Sequence, residues 1–352
     1  MGLMALLMLQ MPFFGACEFI GNMDEEQEQE QHGGNETPGG DEGGEQGGNE
    51  NGGEEQGGDE TEQEAVFTVA TYNLLKPSGR RDEMSLFSEK TKEVVLYSLS
   101  RAISRTGADL MAFNELDGNY ISVGSCSLPK ACSSLPWDWS IEWPNRVKDE
   151  DGKLEYSYAN GFAWNPSLFE LKESWYVWLS KTGSRWYTNP SNAYGNAGNP
   201  DRTCIMARFR HIASGKEFWF FVTHLPTPDQ GGAANMAALV NALAKEKTAR
   251  KPSILCGDMN HAPGTGPYAT LTSYWTDGNT SDRGTLSGSS KNYYYSVEEF
   301  TSEKHPERRI DHIMTRGAAA TDYHTINEYY FYGGKYWCPS DHLPVVATIT
   351  IK

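Results

Sequence analysis

No lysine or arginine occurs in the first 64 residues, although 17 aspartates and glutamates do. That stretch alone accounts for the formal charge of −17, since residues 65–352 hold 30 acidic against 30 basic side chains. The remainder is neutral and lacks the broad basic face with which a protein grips long nucleic acid through its phosphates, leaving room only for a small local patch. Cysteine is scarce as well, with six in 352 residues. No Cys/His cluster has zinc-ligand spacing, so nothing in the sequence proposes a zinc centre. Cys126 and Cys132 lie close together in a Ser/Pro-rich loop and are placed to pair, Cys204 and Cys256 read as small buried apolar residues, and Cys338 is left over. The apolar stretch 1–16 is too short and too interrupted for a membrane span. No repeat of fixed period is visible.

Residues 1–16 have the length of a secretion signal and run into Phe13-Phe14-Gly15-Ala16-Cys17, small residues ahead of a cysteine. This resembles a bacterial lipoprotein signal, with Cys17 as the lipidated first residue after cleavage. It departs in two respects: no basic residue precedes the apolar run, and Phe14 stands where that signal usually has Leu or Val. An ordinary cleaved signal peptide or a short anchor helix is the alternative. Residues 23–64 are Gly, Glu, Gln and Asn with almost nothing apolar, so they cannot bury enough surface to offset chain entropy, and their acids repel one another. The expected organisation is a signal over 1–16, an acidic tether over 17–64 and a folded domain over 65–352. The protein is then exported and lipid-anchored to the bacterial cell envelope.

The folded part is organised around Ser253-Ile254-Leu255-Cys256-Gly257-Asp258-Met259-Asn260. An apolar run of strand length ends in glycine and then presents a carboxylate and an amide two residues apart, on one side of the strand end. In isolation this is as much an Asx-turn as a site. It is not isolated: Val69-Ala70-Thr71-Tyr72-Asn73, Phe220-Phe221-Val222-Thr223-His224 and Arg309-Ile310-Asp311-His312-Ile313 end or open in the same way, and Ser340-Asp341-His342 precedes the apolar run 343–351.

In chain order, a strand is expected over 67–75, a helix over 89–106 stopped by Gly107, and a buried strand over 108–115 ending in Glu115. Residues 118–151 are loop-rich. Residues 159–164 and 168–179 alternate as paired strands would, and 203–210 and 217–224 form a hairpin about Ser214-Gly215-Lys216. A helix over 233–247, the Asp258 strand, a helix or turn near 268–271, a long tyrosine-rich loop over 276–306, the Asp311 strand and a last strand complete the chain. Alternating strands and helices together with hairpins predict mixed sheets covered by helices.

Taken in order, Thr71-Tyr72-Asn73-Leu74, Phe113-Asn114-Glu115, Thr223-His224-Leu225, Gly257-Asp258-Met259-Asn260 with Pro263, Arg309-Ile310-Asp311-His312-Ile313 and Ser340-Asp341-His342-Leu343-Pro344-Val345 resemble the endonuclease/exonuclease/phosphatase family, which includes deoxyribonuclease I. Each motif is weak, and the ordered set is strong. Further similarity to a bacterial subgroup lies in Phe169-Glu170-Leu171, Trp178-Leu179-Ser180, Arg202 before Ala207-Arg208-Phe209, and Ser214-Gly215-Lys216-Glu217-Phe218. The resemblance covers residues 66–351 and implies an α/β fold, a four-layer α/β/β/α sandwich of two mixed sheets with the motif loops gathered at one edge.

Hydrolysing a phosphoester needs a hard cation on the phosphate oxygens, a water aimed in line and a proton for the leaving oxygen. The resemblance gives Asn73, Glu115 and Asp341 as metal ligands, oxygen donors suited to Mg²⁺ or Mn²⁺. Asp258 orients or deprotonates the water, and Asn260 donates to a phosphate oxygen. His342 faces the phosphate, kept protonated by Asp311, and His224 binds phosphate or assists the leaving group. Abasic-site endonucleases carry an acidic residue two positions beyond the first Asn; here that position is Leu75, which leaves a second metal site there without its ligand. His261, His305 and His312 read as structural. Trp186, Tyr187 and residues 293–295 are either packing or a substrate platform. The expected activity is metal-dependent hydrolysis of a phosphoester, as phosphomonoesterase or phosphodiesterase, by a monomeric domain. A nuclease acting on DNA or RNA is the alternative within the family, and a non-catalytic surface binding protein on the same scaffold the alternative outside it.

Overall fold

A computed structural model describes residues 63–76, 89–116, 120, 127–141, 147–148, 154–155, 160–186, 202–280, 294–295 and 308–352. The expected signal, Cys17, nearly all of the tether, Cys126, Tyr187 and Tyr293 lie outside the described residues, as does the side chain of Trp186. The chain separates into Met1–Gln63 and Glu64–Lys352, and every element below belongs to the second.

The strands are β1 (Ala65–Asn73), β2 (Leu110–Asn114), β3 (Asp138–Ile141), β4 (Val147–Lys148), β5 (Leu154–Glu155), β6 (Gly161–Trp164), β7 (Phe169–Leu179), β8 (Arg185–Trp186) and β9 (Arg202–His211). They continue with β10 (Glu217–Thr223), β11 (Ser253–Asp258), β12 (Tyr294–Tyr295), β13 (Asp311–Arg316), β14 (Ala319–Thr325), β15 (Tyr330–Tyr332), β16 (Lys335–Trp337) and β17 (Val345–Ile351). The described helices are α1 (Glu89–Ser104), α2 (Leu128–Ala131), α3 (Ala233–Thr248) and α4 (Gly266–Thr272).

Two six-stranded mixed sheets result, in the orders β14-β17-β1-β2-β6-β3 and β13-β11-β10-β9-β7-β8. From Val69 onward both faces of β1 are buried: Phe67 and Val69 join the layer between the sheets, while Ala70 and Tyr72 point the other way. Between the sheets Phe67 packs edge-on to Phe169 and is stacked with Phe218, at ring centroid distances of 4.9 and 5.1 Å. Such a side chain contributes roughly 2–3 kcal/mol on burial. The outer face of the second sheet, with Met206, Trp219, Phe221 and Leu255, is covered by Met236, Val240 and Leu243 of α3 and by Leu271 of α4. α1 buries Val95, Leu96, Leu99, Ala102 and Ile103, an apolar stripe at helical spacing, and Gly107 at φ +58 follows its last turn.

The expected pairing of 159–164 with 168–179 is wrong. β6 pairs with β2 and β3 in the first sheet, whereas β7 pairs with β9 in the second. Between them the Asn165 side chain accepts from the Ser167 N–H at 3.0 Å, and its carbonyl accepts from the Leu168 and Phe169 N–H groups. This turn throws the chain across the sandwich. Alternation within each run shows a strand but cannot name its partner. Cys132 is buried, which pushes its thiol pKa up, and its expected partner Cys126 lies outside the described residues. The tyrosine-rich segment contributes β12 to a small β12-β16-β15 sheet whose central strand ends at Trp337, just ahead of Asp341.

Candidate active site

Register brings the polar strand ends to one edge. Asn73 is paired with Asn114 across the parallel β1–β2 ladder, and Asp258 with Asp311 across β11–β13. A buried amide network stitches the two sheets together beneath them. The Asn114 Oδ1 accepts from the Asp258 N–H at 2.7 Å, and its Nδ2 donates to the Thr223 carbonyl and to Asn160 Oδ1. Asn160 in turn donates to the carbonyl and hydroxyl of Thr203. Gly257 makes the approach possible, because a Cβ there would lie 1.9 Å from the Thr223 carbonyl oxygen. Three non-glycine residues here have left-handed backbone: Leu75 at φ 58, Glu115 at φ 54 and Asn260 at φ 53. Each costs on the order of 1 kcal/mol, which surrounding hydrogen bonds must offset. The Leu75 N–H donates to Asn73 Oδ1 at 3.0 Å and the Tyr120 hydroxyl holds the Leu74 and Leu75 carbonyls, while the Asn260 N–H donates to Asp258 Oδ1 at 2.7 Å.

The eight site residues named from the sequence are contiguous. Asp258 lies at their centre and is 1% exposed. Its Oδ2 accepts from Asn73 Nδ2 at 3.0 Å and lies 3.3 Å from His224 Nε2 and 3.7 Å from His342 Nε2. His342 Nδ1 is 2.8 Å from Asp311 Oδ2, and its Nε2 is 3.9 Å from Asp341 Oδ1. Ser340 orders that loop, donating from Oγ to the Asn73 carbonyl and accepting from the His342 N–H. Glu115 accepts from the Lys76 N–H at 2.6 Å and from Asn73 Nδ2 at 3.4 Å. His261 and His312 stand behind the site, joined by a contact from His312 Nε2 to the His261 carbonyl.

The electrostatics separate the two imidazoles. Burial works against charge on His342, but Asp311, Asp258 and Asp341 outweigh it and hold the imidazole well above the usual histidine range. His224 goes the other way, pushed down by burial and by Arg202. Burial works to raise the Asp258 carboxyl, yet the neighbouring imidazoles, His342 first, hold it well below the ordinary carboxylate range. Asp258, Asp311 and His342 bring ligating atoms within 4.8 Å of one another. While His342 is charged, both its ring nitrogens carry protons and offer no lone pair, so in that state the trio is a proton-holding pair beside an acceptor. Glu115 and Asp341, half-buried carboxylates on the wall of the same cleft, are the oxygen donors that fit a hard divalent cation.

The cleft has a volume of about 280 Å³ and carries three cationic side chains that sequence reasoning did not assign to the site: Lys76, Arg202 and Arg308. The only sequence signal for Arg202 was its place in the subgroup motif before Ala207-Arg208-Phe209.

Comparison with solved structures finds this fold in an endonuclease/exonuclease/phosphatase family protein of Bacteroides thetaiotaomicron, 21% identical, aligned over 82% of this chain and 99% of that one with TM-score 0.62. A mannosyl-6-phosphatase of the same organism is 21% identical over 80% of this chain and 99% of its own, with TM-score 0.59. D. rerio TDP2, complexed with single-strand DNA product, is 14% identical over 81% of this chain and 99% of its own, with TM-score 0.53. Sequence comparison with curated proteins found no match. Residues 70–342 match the sequence model of the Endonuclease/Exonuclease/phosphatase family, and the chain belongs to that family.

Proposed function

We propose that the protein is a divalent-metal-dependent hydrolase of small phosphoesters, exported and held at a bacterial envelope by lipid on Cys17. The observation that carries the catalytic reading is the Asp258 carboxylate, buried and ionised between two imidazoles of opposite tendency at the wall of an acidic and basic cleft. An ionised carboxylate accepts a hydrogen bond from water and aims its lone pair at phosphorus, while the protonated His342 Nε2 donates to a phosphate oxygen. Arg308, exposed at the cleft rim, and Lys76 attract the dianion. Asn260, between Asp258 and His224, adds a donor without adding charge.

Asn73, Glu115 and Asp341 would hold Mg²⁺ or Mn²⁺, which when bound supplies neutralisation of the phosphate oxygens. Family members hydrolyse phosphoesters, and one structural neighbour is a sugar-phosphate phosphatase. The neutrality of residues 65–352 and the small cleft support a compact substrate over long nucleic acid.

Purified protein with Mg²⁺ or Mn²⁺ is assayed against sugar phosphates, nucleotides, inositol phosphates, sphingomyelin, plasmid DNA and RNA. Turnover of small phosphoesters is expected. Plasmid nicking with every small substrate untouched replaces the reading with a nuclease, and no turnover of any substrate with either metal points to a binding protein. For the metal, Glu115→Gln weakens Mg²⁺ binding in titration calorimetry by about tenfold or more. Identical binding isotherms would remove Glu115 from the ligand set.

A further inference from the structure

Arg202 opens β9 with only 3% of its surface exposed, and it turns its charge on an imidazole. Its Nη1 stands 3.0 Å from Nδ1 of His224, and its Nη2 donates to Gln230 Oε1 at 3.1 Å. The same Gln230 oxygen accepts from the Thr227 N–H at 3.0 Å, which ties the guanidinium to the loop leading into α3. At the end of that loop Gly232, at φ +79, packs closely on Lys181, where a Cβ would lie 2.5 Å from the Lys181 side chain.

A guanidinium has donors only and does not give up its proton in proteins. The His224 Nδ1 must therefore be the nitrogen that carries the lone pair. On the far side of the ring, Nε2 faces Asp258 Oδ2 at 3.3 Å, and an ionised carboxylate only accepts. The Asn260 Nδ2 is 3.0 Å from that nitrogen and also donates to the Leu225 carbonyl at 2.8 Å. A neutral amide contact yields to two charge-assisted ones, each roughly twice as strong.

We propose that Arg202 is a positioning residue that fixes His224 as the neutral imidazole protonated on Nε2, dividing the labour between the two histidines of the site. His342 supplies positive charge. His224 supplies a neutral N–H that holds the ionised Asp258 Oδ2 in place. The charged groups acting on the ring are Arg202 from β9 and Asp258 from β11, with Glu115 from the end of β2 adding a weaker pull toward protonation. Burial and Arg202 oppose that pull, so the ring does not charge beside the guanidinium.

The test is nitrogen-15 NMR of the histidine side chains in the full chain without substrate, for wild type, Arg202→Gln and Arg202→Lys. In wild type, His224 is neutral with its proton on Nε2 at neutral pH and titrates below the ordinary histidine range. In Arg202→Gln the amide oxygen accepts from a protonated Nδ1, so His224 titrates at higher pH. If turnover has been established, kcat falls about tenfold near pH 7 and further as the pH drops. In Arg202→Lys the ammonium also only donates, and the wild-type tautomer returns. A wild-type His224 protonated on Nδ1, or charged at neutral pH, overturns the proposal, as does an unchanged spectrum in a folded Arg202→Gln protein. If that variant fails to fold, the wild-type spectrum decides. The catalytic meaning rests on the proposed function, but the tautomer does not: expected spectra with no phosphoester turned over would sink the enzyme assignment and leave the role of Arg202 standing.

Discussion

At the scale of the residue, what matters most is which of several buried acids and bases holds a proton. Asp311 and His342 sit 2.8 Å apart, each 7% exposed or less. Removing the Asp311 charge leaves a buried imidazolium without the largest of the charges that sustain it. Asp311→Asn therefore lowers kcat by about 10²-fold or more at neutral pH, with KM changed much less. The direction of the pH effect follows from the raised imidazole. Without Asp311 it falls back toward its ordinary value, less imidazolium is present at a given pH, and the high-pH limb of the rate moves to lower pH. A pH–rate profile of both proteins at saturating metal checks this. An unmoved limb with a merely lower melting temperature would leave Asp311 as a strand-end residue and nothing more.

Elements carry the second kind of constraint, because the site is only as precise as the strand ends that present it. Gly257→Ala drives a methyl group into the Thr223 carbonyl and toward Asn114 Oδ1, 3.2 Å away, at a φ of +142 that L residues rarely adopt. The expected loss is roughly 3 kcal/mol, read as a fall in denaturant midpoint, with activity falling further because β10 and β11 separate where His224 and Asp258 emerge. Behind the same edge, Asp277 Oδ2 accepts from the Tyr268 hydroxyl at 2.9 Å and Arg309 Nη1 at 2.6 Å, and lies 3.2 Å from His312 Nδ1. Burial works to raise the Asp277 carboxyl, but His312 and Arg309 outweigh it and hold it at about 2, against an ordinary 3.8. A depressed carboxyl contributes stability that is fully present above its unfolded pKa and lost as the pH falls through the folded one. Asp277→Asn should accordingly remove roughly 2 kcal/mol of pH-dependent stability, seen as a gap between the two proteins at neutral pH that closes between about pH 4 and pH 2. A gap of constant size across that range would show that the carboxyl is not perturbed in the fold.

These two clusters also mark what was readable beforehand. Gly257-Asp258-Met259-Asn260 and Arg309-Ile310-Asp311 could be read because a strand end and the polar residues it delivers are adjacent in sequence. The α3 and β7 spans follow from periodicity in the same local way, matching 233–247 and 168–179 to within a residue or so. Arg202 and Gln230 were not assigned to the site, and Asp277 went unremarked. Each acts through a partner brought near only by the fold, His224 for Arg202 and Arg309 for Asp277, and a charged residue at a strand start reads the same whether it meets solvent or a buried ring. The misassigned pairing of β6 with β7 has the same origin, since strand period is local and strand partnership is not.

For the whole molecule the deciding quantity is where the charge lies. The folded part is balanced, and the 17 acids of the first 64 residues have no cation among them. Acids of one sign are repelled by an anionic membrane surface, so the charge of this stretch works against attachment. If Cys17 carries lipid, the attachment depends entirely on buried acyl chain, about 0.8 kcal/mol per CH₂, with no basic patch to assist. Two results follow. The wild-type protein stays in the membrane fraction through a high-salt wash, because screening weakens only the repulsion. Cys17→Ser moves to the soluble fraction with the melting temperature and activity of the domain unchanged. Fractionation of the two proteins, with and without salt, reads both at once. Wild-type protein stripped by salt would mean a charge-mediated association that this tether has no residues to make, and a Cys17→Ser protein still bound to membrane would place the anchor in the apolar segment 1–16 instead.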